Sequence, residues 1–161
     1  MRACIFKVDR SMPVSHAAIL RRATDLAHTF LRTKTYVTID KRGPFTFTTL
    51  TPYQIAVRLS DHADMVLRTQ HFVDVRPWRP NNPWSKAIAT TFSHIPNVVF
   101  INTRKSFPTH NYVGTLVHEF CHLADFNHGE GRFANYNQGS EPKLSSVPIW
   151  MAGAATRWAK P

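Results

Sequence analysis

His118-Glu119-Phe120-Cys121-His122 is the stretch that most restricts what this chain can fold into. Residues i and i+4 share one face of an α-helix, so a helix here sets two imidazoles side by side, able to hold one ion. Glu119 sits one step round the helix. That position suits a general base acting on a metal-activated water better than it suits a ligand. Leu116, Val117, Phe120 and Leu123 fill the other faces, so the helix must lie buried beneath the rest of the fold.

A catalytic zinc site takes three protein ligands and keeps one position open. His128 is the leading third ligand. It follows a point between Asp125 and Asn127 where the helix can end, because Asp and Asn tolerate a left-handed turn and Gly129 adds freedom after it. Asp125, Glu130 and Glu141 are its rivals. Asp125 continues the 118–122 face at i+7, and we read it as orienting His122 from behind rather than as a ligand. His110 and Tyr136 are further candidates, for oxyanion stabilisation. His16, His28, His62, His71 and His94 are scattered and read as structural or surface residues.

The remainder of the chain reads as mixed helix and strand. ACIFKV (3–8) predicts a short strand, and residues 15–31 predict an amphipathic helix through Ile19, Ala23, Leu26, Ala27 and Phe30. TYVTI (35–39) and FTFTTL (45–50) flank a turn-like KRGP and predict a hairpin. Thr51 and Pro52 read as the cap and first residue of another helix. VRPWRPNNPWSK (75–86) reads as loop, whereas KAIATTF (86–92) and NVVFIN (97–102) read as strands joined by SHIP. Cap candidates at Thr109 to Asn111 open the motif helix. Ser145 or Ser146, with Pro148, opens a C-terminal helix in which Met151 is ordinary packing. These elements imply an α+β fold in one domain, residues 1–161, with a basic part (1–85) preceding the hairpin, motif helix, metal loop and last helix (86–161).

The net charge is +10, and all of it arises within residues 1–109; the segment carrying the motif sums to zero. Such a surface aids solubility and also favours nucleic acid, anionic cell-wall polymers or anionic membranes. Arg76, Trp78, Arg79, Trp84 and Lys86 interleave aromatic and basic side chains, a pattern that can stack on bases and neutralise phosphates. The alternative is that the two tryptophans anchor a loop to the core. Two cysteines, Cys4 and Cys121, make no disulfide framework, and Cys121 reads as a buried, reduced thiol. No apolar run is long enough for a membrane span. Arg2, Lys7, Asp9 and Arg10 interrupt any leader, so no secretory signal is visible and the chain reads as cytoplasmic.

HEFCH carries the zincin signature, and HEFCHLADFNH resembles the HExxHxxGxxH pattern of metzincins, with Asp125 at the glycine. HGEGRF (128–133) is similar to the His-Gly-x-x-Phe ending of SprT-like zincins, with one extra residue before Phe133. From AIATTF through PNVVFINTR and VGTLVHEF to VPIWMAG, the chain also resembles small HExxH proteins of bacteria and their phages. The resemblance implies a zincin-like metallopeptidase with Zn2+ held by His118, His122 and His128. It also implies a twisted mixed sheet over the motif helix, with KAIATTF as the edge strand facing the cleft. Main chain at Ala87, Ala89 and Thr91 then aligns a protein or peptide substrate. The other readings are a DNA-associated protein or a protease acting on DNA-bound proteins, a peptidoglycan endopeptidase, and a non-catalytic metal-binding protein.

Overall fold

A computed structural model describes residues 4–127 and 146–161. The chain opens with β1 (Phe6–Val8), followed by α1 (Val14–Thr33), α2 (Thr35–Asp40) and α3 (Pro52–Thr69). Next come β2 (Val73–Trp78), β3 (Ala89–Phe92) and β4 (Ile95–Asn102), then α4 (Thr109–Leu123) and α5 (Val147–Trp158). The sheet order is β1-β2-β4-β3, with β1, β2 and β4 parallel and β3 antiparallel to β4 at one edge. This is an α+β fold with a small mixed sheet, the class the sequence implies. Among the described residues, no helix is long and apolar enough to cross a membrane.

Local chemistry sets several of the boundaries. The Thr51 hydroxyl accepts from the Gln54 N–H, and the Gln54 side chain accepts from the Thr51 N–H. This reciprocal box, with Pro52 at the first position, starts α3. Ser146 precedes α5 as expected, whereas Pro108, not a hydroxyl residue, precedes α4.

The motif helix α4 is the centre of the core. Tyr112, Val113, Leu116, Val117, Phe120 and Cys121 are fully buried, and α4 packs on α1, α5, β3 and β4. Phe120 meets the Phe6 ring edge-on, with centroids 6.1 Å apart. Met151 is fully buried in α5, in keeping with a packing role. Gly114 allows α4 and α5 to approach closely: a Cβ there would overlap the Thr156 hydroxyl and lie 2.9 Å from the Ala152 carbonyl oxygen. Gly114→Ala should therefore destabilise the fold by about 1–3 kcal/mol from overpacking, even though alanine favours helix by up to about 1 kcal/mol. Urea unfolding checks this. An unchanged or higher midpoint would show that the helices have room to part.

Two expectations are corrected. The hairpin over 35–50 is not formed: residues 35–40 are α2, and Thr46 makes an isolated bridge to Ser146. One residue separates α1 from α2, and the Thr35 hydroxyl donates to the Leu31 carbonyl at 2.6 Å. Thr35, Thr38 and Ile39 are buried at helical spacing, and the Trp150 indole N–H donates to the Thr38 carbonyl at 3.0 Å. Packing against α3 and α5 outweighs the β propensity of five residues.

Residues 75–78 are the second correction, being strand rather than loop. Val73 and Val75 are fully buried, and Asp74 and Arg76 alternate with them. Pro77 is tolerated because β1 pairs with β2 only as far as Val75, so that among the described residues no strand pairs with that side of β2 at Pro77. The last hairpin is also trimmed. Its strands run 89–92 and 95–102 rather than 86–92 and 97–102.

Candidate metal centre and cleft

His118 and His122 lie in the last two turns of α4, with their Nε2 atoms 3.1 Å apart and their rings inclined at 73°. Zinc–nitrogen bonds of about 2.0–2.1 Å at tetrahedral angles put two nitrogens about 3.3 Å apart, so the pair suits one shared ion. The other nitrogen of His122, Nδ1, lies 2.8 Å from the Phe126 carbonyl oxygen. A carbonyl only accepts, so Nδ1 carries a proton, and the tautomer this selects has its lone pair on Nε2.

The end of the helix makes that contact. Asp125 N–H donates to the His122 carbonyl at 2.9 Å and Phe126 N–H to the Cys121 carbonyl at 3.0 Å. These are the paired bonds of a Schellman ending, which needs a left-handed residue; Asp125 supplies it with φ 66°. Phe126 is then buried, at 3% exposure. The exit expected near Asp125 to Asn127 is present, and it brings the Phe126 carbonyl back onto His122.

Asp125 accordingly takes a different place from the one expected. Its carboxylate accepts from Arg58 Nη2 at 2.8 Å, and its side chain is 81% exposed. The i+7 spacing holds only while a helix continues, and α4 stops at Leu123. Among the described residues, a main-chain oxygen rather than the Asp125 carboxylate orients His122. Sequence offers no signal for such an acceptor, because every residue carries a carbonyl.

His128, Glu130, Tyr136 and Glu141 lie outside the described residues. Among those described, no group of three or more ligating side chains forms. His110 is in the first turn of α4, about 12 Å along the axis from His118, and is not among the residues that line the cleft.

That cleft, of about 950 Å³, runs between β3 and α4 and is lined by Ala89, Thr91, His118, Glu119, His122 and Phe126, among others. Glu119 is 6% exposed. It also lines a smaller hollow of about 330 Å³ between α4 and α5. Along β3, the Ile88 carbonyl accepts from the Asn102 N–H at 2.9 Å. Antiparallel alternation then turns the N–H and C=O of Ala89 away from β4, toward the side where no further strand pairs among the described residues. Ala87 lines the cleft just before the strand, and its carbonyl is held by the Asn102 side-chain amide at 3.0 Å. Thr91 sits where the β3–β4 register shifts.

Cys121 is fully buried and is not among the residues that line the cleft. Burial, and then the charge of Glu119, push its thiol well above the usual range, which makes it a poor nucleophile. Both cysteines are free.

The residues expected as nucleic-acid contacts fall into two groups. Arg76 donates to Asp74 at 2.9 Å and lies 4.0 Å from Asp9, while Trp78 stands edge-on to Phe92. Arg79, Trp84 and Lys86 are exposed. No protein-family model, curated protein or solved structure matches this chain.

Proposed function

We propose that this chain is a zinc-dependent peptide hydrolase in which Glu119 carries the proton. The reading rests above all on two imidazole nitrogens converging to 3.1 Å in a cleft bordered by an open sheet edge. His118 and His122 are the proposed ligands, and His128 completes the set by resemblance to zincins. When bound, zinc supplies Lewis acidity toward the scissile carbonyl and brings a coordinated water's pKa to about 7.

The chain's own groups do the rest. The Phe126 carbonyl fixes the tautomer and aim of His122. The outward main chain of Ala89 pairs with an extended substrate and lays its scissile bond along the cleft. A Glu119 carboxylate oxygen takes a proton from the attacking water as the O–C bond forms. It passes that proton to the amine nitrogen as the C–N bond breaks. Glu119, buried beside the two histidines but one helical step off their shared face, suits proton transfer better than coordination, which favours catalysis over a purely metal-binding role. Proteins bound to DNA and cell-wall cross-link peptides are both substrates this chemistry can cut.

Incubation with an unstructured polypeptide and, separately, with purified peptidoglycan tests the proposal. Cleavage that a chelator abolishes and added zinc restores is the expected result. Zinc-loaded protein that cuts no peptide bond in either would overturn it.

A further inference from the structure

We infer that the turn carrying Trp84 is a binding site for single-stranded nucleic acid, with the indole as a base-stacking platform and Arg79, Lys86 and Arg104 as phosphate contacts. This inference does not depend on the hydrolase reading, since none of these residues belongs to the proposed metal centre.

Trp84 is 84% exposed, and the other three tryptophans each have a protein partner. Trp78 meets Phe92, Trp150 bonds Thr38, and Trp158 lies 5.6 Å from the Phe30 ring. An indole left in water forgoes the burial that such a large ring normally gains. Nor is Trp84 on a loose tip. Its N–H donates to the Asn82 side chain at 2.9 Å, and the Ser85 N–H donates to the Asn82 carbonyl at 3.1 Å. Arg104 Nε donates to the Pro80 carbonyl at 3.3 Å, and Lys105 Nζ to the Ser85 carbonyl at 2.9 Å. The turn is therefore fastened along the segment that follows β4, which holds the ring outward.

The stretch of chain that carries the turn has charge of one sign. Between Asp74 and Glu119 the chain contains no acidic residue, while Arg76, Arg79, Lys86, Arg104 and Lys105 all fall in that interval. Arg76 is engaged with Asp74. Arg79, Lys86 and Arg104 are exposed, and the Pro80 and Ser85 bonds place Arg104 and Lys105 against the turn. An exposed ring among cations suits unpaired bases on a phosphate backbone, because every base offers a stacking face. A duplex hides those faces.

Fluorescence anisotropy with a labelled oligothymidylate of about 16 nucleotides tests this, with an abasic oligomer of equal length as the charge-matched control. The oligothymidylate should bind in about 0.15 M salt, more tightly than the abasic oligomer. Trp84→Ala should weaken it by about 5- to 150-fold, and Trp84→Phe by less. Replacing Arg79 and Lys86 together with alanine should flatten the log–log salt dependence by about 1.4. The abasic comparison uses the unaltered protein, so the test stands whatever the variants do. Absent binding, a Trp84→Ala protein that binds as tightly as the parent, or equal affinity for the abasic oligomer would overturn the inference. The last result would make the surface a charge-only site, as an anionic cell-wall polymer would use it.

Discussion

Glu119→Gln is expected to keep its zinc and to lose about 10²–10⁴-fold of hydrolytic rate, the usual range for removing a general base. Glutamine preserves the size and much of the hydrogen bonding of a side chain that is 6% exposed, so the fold should survive. What it cannot do is accept the proton of the attacking water. The two measurements are a steady-state rate on an unstructured polypeptide and the zinc content of the same preparation. If the metal is lost along with the rate, Glu119 is a ligand. If the rate persists, the proton goes elsewhere.

The second large effect concerns stability. A ligand that binds only the folded state stabilises it by about 4 kcal/mol at 1,000 times its dissociation constant. For a chain of this length, each kcal/mol shifts the melting temperature by about 2–4 °C. Added zinc should therefore raise the melting temperature by about 8–16 °C, and a chelator should reverse the shift. His122→Ala should abolish it, because the substitution removes one of the two converging nitrogens. It also strips the Phe126 carbonyl of its imidazole donor, so the metal-free variant should melt somewhat below the metal-free parent. A variant that still responds fully to zinc would place the ion elsewhere.

The motif helix was legible because three independent signals coincide there. The histidine spacing, the apolar residues on the other faces and the Asp–Asn exit all require the same helix ending at the same place. The observed φ of 66° at Asp125 and the Schellman bonds meet the last of them. In the resembled metzincin pattern this position is a glycine, the residue for which a left-handed backbone costs least. The edge strand was expected from the zincin resemblance rather than from composition, and β3 does stand at the end of the order β1-β2-β4-β3.

Where the sequence misled, a local signal was overridden by something distant. TYVTI has strand-like composition, yet Thr35, Thr38 and Ile39 also fit one helical face. Five residues cannot decide between the two periods. The decision comes from α1 upstream and from Trp150, which lies 112 positions away along the chain. The prolines of VRPWRP hid the alternation of Val73 and Val75, and only the short length of β1 explains why Pro77 is harmless in β2. For Asp125 the periodicity was extended beyond the end of its helix. Side chains announce ligands, but the oxygen that orients His122 belongs to the backbone.

The zinc content of the protein, purified without chelator and measured by elemental analysis, tests the central claim most directly. Convergence of His118 and His122 on one ion predicts close to one zinc per chain, and loss of that zinc when either histidine is replaced. Protein that emerges free of metal, and whose melting temperature is indifferent to added zinc, would contradict it.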